Sequence, residues 1–230
     1  QGSSVSVVPV SLVYEHTEPK ASSGPHFSFT NGAIVSSVEP VAGSTLGGTV
    51  VKITGAGFAN VDDLVCVFGA DGGSVSPATF IDQTRVTCET PATRAGGEVK
   101  VWVETTSTSL LTRETLARFE YFYPVSLYSI HPSFGSFRGG TRVKVSGSGF
   151  SNAQAHNARC RFGNSNVPAQ HVSVQELSCL TPSFADTASI TSTVDVAVSL
   201  NGGVDWEYGR DEIITYAYVQ PLSIGRIVPP

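Results

Sequence analysis

The chain has 230 residues and a net charge of −5 at pH 7. This acidic balance argues against a nucleic-acid-binding protein, because such proteins need a positive surface. No apolar stretch approaches the roughly 20 residues of a membrane-spanning helix, and the abundant glycine and valine are typical of short strands joined by tight turns. The sequence lacks methionine. We therefore expect a processed chain or a segment of a longer one.

Residues 1–32 contain two apolar runs. The first, VSVVPVSLVYEHT, covers residues 5–17, and the second, HFSF, covers residues 26–29. Both predict strands, and two exposed strands with an apolar face are unstable alone. We therefore expect them to pair with strands elsewhere, through the apolar residues Val5, Val7, Val10, Leu12, Phe27 and Phe29.

Residues 33–123 and 124–220 repeat one pattern. PVAGSTLGGTVVKITGAGF at 40–58 matches PSFGSFRGGTRVKVSGSGF at 132–150, and CVFG, VTCETP and FEYFYP recur in order as CRFG, LSCLTP and YAYVQP. Each unit contains six or seven short alternating runs separated by turn residues. This pattern is typical of an immunoglobulin-like β-sandwich, so the sequence predicts an all-β chain with two complete sandwiches.

Partial repeats flank these two units. Residues 1–32 match the end of a repeat and predict its last strands, while residues 221–230, PLSIGRIVPP, match the first strand of one. Ile224 and Ile227 are the apolar residues expected to pair with strands in that last segment. Two explanations stay open: a covalent array of repeats, or subunits whose end strands pair head to tail in a filament.

The shared frame resembles the IPT/TIG domain, on the motifs P-x-x-G-x-x-x-GGT, GxGF, CxFG and CxTP. That family has an immunoglobulin-like fold and occurs in plexins, fibrocystin-like surface proteins, some carbohydrate enzymes and Rel-type transcription factors. In its extracellular members the two cysteines pair. The resemblance therefore implies disulfides between Cys66 and Cys88 and between Cys160 and Cys179.

The four cysteines occur two per repeat, at the same positions of the repeat. Each disulfide would close a loop between its two cysteines and would stabilise the fold by roughly 3 kcal/mol in the loop-entropy model. Disulfides would also place the protein in an oxidising compartment. The alternative is two buried free thiols per domain. A zinc site is disfavoured, because no C-x-x-C or nearby histidine pair accompanies the cysteines.

Two tryptophans are candidate contact residues. Trp102 lies out of phase with the inward-facing Val101 and Val103, so we expect its ring to face outward. Together with Trp206 it could contact a partner or stack on a sugar, and the alternative for Trp102 is cover by neighbouring chain. Two phenylalanines in the second repeat, Phe134 and Phe137, predict either contact with a neighbouring domain or local core packing.

No nucleophile elbow, phosphate-binding loop or metal-ligand spacing occurs in the sequence. We therefore expect no enzymatic activity, no metal and no cofactor. The favoured function is a structural or adhesive extracellular module, secreted or at the cell surface, that associates with further repeats or copies of itself. The alternatives are a ligand-binding segment of a plexin-like receptor and a carbohydrate-binding accessory module.

Overall fold

The computed structural model describes residues 6–9, 26–29, 33–70, 73–106, 115, 117–150, 157–185, 190–209 and 212–220. Their regular structure consists of strands, as the alternating sequence predicts. No helix in these ranges has the length and apolar character needed to cross a membrane.

The N-terminal segment forms a two-stranded sheet from β1 (Ser6–Pro9) and β2 (His26–Phe29). The two strands are antiparallel, and Val8 lies opposite Phe27. The two strands that contain Val7, Phe27 and Phe29 therefore pair with each other. The other predicted assembly residues lie outside the described residues: Val5, Val10, Leu12, Ile224 and Ile227.

The first repeat forms an eight-stranded sheet system. Its strands are β3 (Ile34–Glu39), β4 (Ala42–Ser44), β5 (Val50–Ala56), β6 (Leu64–Gly69), β7 (Ser74–Asp82), β8 (Arg85–Glu89), β9 (Gly97–Thr105) and β10 (Arg118–Phe122). They are hydrogen-bonded in the order β3-β5-β8-β7-β6-β9-β10-β4. β3 and β4 are the two edge strands in this order, and β4 pairs in parallel with β10.

The second repeat has the same topology. Its strands are β11 (Ser126–His131), β12 (Phe134–Ser136), β13 (Arg142–Ser148), β14 (Arg159–Phe162), β15 (Ser165–Ser173), β16 (Glu176–Leu180), β17 (Thr191–Ser199) and β18 (Thr215–Val219). Their order, β11-β13-β16-β15-β14-β17-β18-β12, repeats that of the first unit strand for strand. The predicted all-β fold of two immunoglobulin-like repeats is confirmed.

One long strand in each repeat connects the two layers of the sandwich. In β15, Ser165–Pro168 pairs with β14, and Ala169–Ser173 pairs with β16. In β7 the change of partner falls between Pro77 and Ala78. Proline has no N–H for a ladder hydrogen bond, so it fits the point where a strand leaves one sheet for the other.

Each core is built from alternating strand residues and one disulfide. Val143 and Val145 of β13 are fully buried, while Lys144 between them is exposed. The bridges Cys66–Cys88 and Cys160–Cys179 join β6 to β8 and β14 to β16, each with a Cα–Cα distance of 6.4 Å. The structure thus joins the same cysteines that the family resemblance pairs.

The described residues form two compact units. The first contains those up to Val38 together with 51–89 and the described part of 100–118. The second contains 39–50, 90–99 and the described residues from Phe119 onward. The second unit therefore includes β4, with the glycine turn that follows it, as well as the second repeat.

A tight glycine turn follows β12, where Gly139 and Gly140 have φ values of +74° and +78°. A Cβ on Gly139 would lie 2.5 Å from the backbone carbon of Pro182, whereas a Cβ on Gly140 would meet nothing within 4 Å. The backbone of the turn therefore packs directly on the chain that follows β16. This contact accounts for the first glycine of the GGT motif.

Alanine substitutions should separate the two reasons for glycine in this turn, which are the positive φ and the close approach to Pro182. G140A introduces only the left-handed strain, so we expect it to lower the free energy of unfolding by about 1–2 kcal/mol. G139A adds a clash with backbone that cannot move aside, and we expect a clearly larger loss in urea unfolding. Equal losses in the two variants would show that the close approach at Pro182 is unimportant.

Candidate interaction surface

A hairpin follows β17 in the sequence SLNGGVDWEY, residues 199–208. Gly202 and Gly203, with φ values of +81° and +99°, reverse the chain. Glu207 then pairs with Val198 through two backbone hydrogen bonds of 2.8 and 2.9 Å. We call residues 199–208 the NGG hairpin.

Side chains inside the NGG hairpin hold its shape. The Ser199 hydroxyl accepts hydrogen bonds from the backbone N–H groups of Asn201 and Gly203, at 3.3 and 2.8 Å, and donates to the Asn201 Oδ1 atom at 3.0 Å. The same Oδ1 accepts the backbone N–H of Asp205 at 2.9 Å. Because Ser199 and Asn201 are buried, these bonds satisfy groups that water does not reach.

The outward atoms of the NGG hairpin bind residues 42–49, which lie in the same compact unit. The Asn201 amide donates to the Ala42 carbonyl at 3.2 Å and to the Asp205 carboxylate at 2.8 Å. That carboxylate also accepts the Thr49 hydroxyl at 2.6 Å. Thr49 is itself held by the Thr90 hydroxyl, which accepts its N–H at 3.2 Å.

β4 is buried beside this contact. Ala42, Gly43 and Ser44 are all buried, and Thr49 is 1% exposed. Ala42 belongs to the same hydrophobic cluster as Phe122 and the core of the second repeat. We call Ala42, Gly43, Ser44 and Thr49 the 42–49 surface, and the NGG hairpin is its observed partner.

An arginine lies between two aromatic rings beside this contact. The Arg161 guanidinium is 4.4 Å from the ring centroid of Trp206 and 5.5 Å from that of Tyr208, whose hydroxyl it contacts. Arg161 is opposite Ala197 on the outer face of β14 and β17, and Ala197 is fully buried. The stack therefore closes the outer face here, through cation–π contacts of about 0.5–2 kcal/mol each.

Both tryptophan rings are in contact with neighbouring parts of the chain. A Cβ on Gly203 would lie 3.1 Å from Trp206 Cζ2, so backbone packs against a ring that Arg161 already stacks on. Trp102 is 5% exposed, and its indole N–H donates to Glu104 at 2.9 Å. The expectation of Trp102 as an exposed contact residue is wrong, because its polar atom is satisfied locally and its ring is buried.

The two phenylalanines of the second repeat have different environments. Phe137 is 6% exposed and packs on Phe184 and Tyr218, at centroid distances of 5.8 and 6.1 Å. Of the two alternatives, Phe137 therefore follows the second and fills local core. Phe134 is 60% exposed, so its role as a contact residue stays a prediction.

The pKa of Glu207 in the NGG hairpin is raised above its ordinary value. Its burial raises the pKa, and the nearby charge of Asp205 raises it further. The described residues contain no group of three histidine, cysteine or acidic side chains placed to hold a metal ion. The hydrogen bonds described above join the polar groups of the NGG hairpin to one another and to the 42–49 surface.

Removal of the Thr49 hydroxyl should destabilise the protein. T49V leaves the shape unchanged but deprives the Asp205 carboxylate of a donor, and a lost hydrogen bond to a partly buried group costs about 1–3 kcal/mol. The matched control is T141V at the equivalent threonine, whose hydroxyl has no such partner among the described residues. We expect urea unfolding to detect the first change and not the second; equal effects would contradict this assignment.

The pKa of Glu207 predicts a pH-dependent effect. Because folding raises this pKa, ionised Glu207 opposes folding at neutral pH, whereas below the ordinary glutamate value of roughly 4.3 both states are protonated. E207Q should therefore raise the unfolding temperature at neutral pH and lose this effect in acid. The exposed Glu212 supplies the control, and an E212Q variant with the same pH profile would contradict the role of burial.

Comparison with known proteins agrees with this architecture. The sequence profile of the IPT/TIG domain matches residues 33–121 and 124–213. The chain is 26% identical to human fibrocystin-L over 169 residues, which is 74% of this chain and 4% of that protein. It is also 26% identical to plexin-2 of Caenorhabditis briggsae over 201 residues, 83% of this chain and 11% of that protein.

The chain thus spans a small part of the length of these relatives. Among solved structures, the extracellular region of plexin A4 is similar with a TM-score of 0.49 and 16% identity, over 93% of this chain and 18% of that one. The two profile matches together cover more than half of the chain, in the same frame as the two sheet systems. The chain belongs to the IPT/TIG domain family, of which it contains two tandem members.

Proposed function

We propose that this chain is a non-enzymatic structural or adhesive segment of a linear array of IPT/TIG repeats outside the cell. The observation that carries the proposal is the contact of the NGG hairpin with the 42–49 surface. Through it, side chains of one repeat bind backbone and side chains of the repeat before it. Such a contact suits a protein whose work is to keep successive repeats connected.

Two further observations support an extracellular array. The disulfides are buried in both cores, and bridges of this kind persist in oxidising compartments. The curated relatives, fibrocystin-L and plexin-2, are many times longer than this chain. We propose a secreted or cell-surface location on this basis.

We favour further repeats over direct pairing of the two end segments. Residues 221–230 resemble β11, and β11 pairs with β13. Residues 1–32 resemble instead the last two strands of a repeat, and β2 corresponds in sequence to β10 and β18. Residues 221–230 would need a partner equivalent to β13, whereas residues 1–32 offer equivalents of the last two strands of a repeat. The two end segments therefore do not match as direct pairing partners.

Cryo-electron microscopy of the native protein tests the proposal. We expect a row of sandwich-sized domains that continues beyond the two described here. Isolated particles without further IPT/TIG domains would overturn the array. In that case, saturable binding of a soluble protein would point to a receptor segment, and saturable binding on a glycan array would point to a carbohydrate-binding module.

A further inference from the structure

The second repeat carries a counterpart of the 42–49 surface. In sequence, Phe134, Gly135, Ser136 and Thr141 take the places of Ala42, Gly43, Ser44 and Thr49. The backbone agrees, since β12 pairs in parallel with β18 as β4 pairs with β10. The N–H of Thr141 donates to the Thr181 hydroxyl at 3.1 Å, as that of Thr49 donates to Thr90. We call these four residues the 134–141 surface.

The two surfaces differ in cover. The three residues of β4 are buried, whereas Phe134 is 60% exposed and Gly135 and Ser136 are half-buried. Thr141 is also half-buried, and among the described residues its hydroxyl has no counterpart of the Asp205 carboxylate. The NGG hairpin bonds to the first surface, and no segment within the described residues makes the same bonds to the second.

A buried hydroxyl without a partner lies beneath the 134–141 surface. Tyr216 occupies the position of Phe119, and its ring is fully buried. Its hydroxyl has no hydrogen-bond partner among the described residues, and it lies against Gly135, next to the Thr141 hydroxyl. An unpaired buried hydroxyl costs about 1–3 kcal/mol, so the fold beneath this surface carries a polar group that is not satisfied.

The charge around this surface selects the partner. Leu46 and Val50 border the 42–49 surface, and Arg138 and Arg142 replace them beside Thr141. Both arginines are exposed. The sequence beside Thr141 is therefore more positive than the sequence beside Thr49, which favours a carboxylate as the incoming group.

We propose that the 134–141 surface docks the Asn-x-x-x-Asp hairpin of a further IPT/TIG repeat placed after Gln220. The aspartate accepts the Thr141 hydroxyl, the asparagine amide donates to the Phe134 carbonyl, and the Phe134 ring adds apolar contact where the first repeat has alanine. A second copy of this chain is not the partner, because its own hairpin already occupies its 42–49 surface. The inference rests on the proposed function in taking the partner to be a further repeat.

A chain with a third repeat tests the docking. A second copy of residues 124–220 is joined after Gln220, which preserves the junction because Pro221 corresponds to Pro124. T141C is combined with an Asp→Cys change at the copy of Asp205, and disulfide formation under mild oxidation is read by peptide mass. The control pair is T49C with D205C, whose parent atoms are 2.6 Å apart.

We expect both pairs to cross-link within one chain, and the new pair to lose its cross-link when the copy of Asn201 is changed to alanine. A new pair that stays reduced while the control pair closes overturns the docking, and cross-links between chains overturn the choice of partner. If this docking fails, the proposed array of repeats is still tested separately, by microscopy of the native protein.

A second measurement avoids new cysteines. T141V should lower the unfolding temperature of the three-repeat chain and leave that of the original chain unchanged. The proposal is overturned if T141V has the same effect in both chains. Because the substitution is isosteric, a general folding defect would appear in the original chain as well.

Discussion

The Asp205 carboxylate is the group on which this architecture depends. Removed in part from water, it needs fixed donors, and it has them in the Asn201 amide and the Thr49 hydroxyl. Those donors are placed by other bonds: Ser199 orients Asn201, and Thr90 holds the backbone of Thr49. One charge thus connects the shape of a hairpin, the orientation of a GGT threonine and the burial of a short edge strand.

Repetition with local change explains how one fold can give two different surfaces. The backbone of the GGT segment is the same in both repeats, and a few substitutions alter what it presents. Ala42 becomes Phe134, and Leu46 becomes Arg138. Because the hydrogen-bonding groups are kept while the apolar and charged groups change, each surface could retain its geometry and differ in the partner it prefers. In the second repeat the NGG hairpin faces the preceding repeat, which gives the contact between successive repeats a direction.

Local pattern and recurrence were sufficient to predict the strands, the two repeats and, through the family resemblance, the cysteine pairs. They were insufficient to predict the burial of side chains that are covered by other parts of the chain. Trp102 is out of phase with the inward valines, and nothing local shows that its ring is covered. The pairing of Thr49 with Asp205 joins residues 156 positions apart. The local sequence signals in these two segments are the NGG and GGT motifs, and each motif by itself predicts only a turn.

The parallel pairing of β4 with β10, and of β12 with β18, also sets the order in which the protein can form. Each sandwich closes with one of its first strands beside its last, so the sheet is incomplete until the final strand of that repeat has been synthesised. Contacts of such long sequence separation make folding slow, and domains generally fold as units during synthesis. Each repeat therefore emerges from the ribosome with an open edge, and its closure prepares the surface that the next repeat's hairpin will meet.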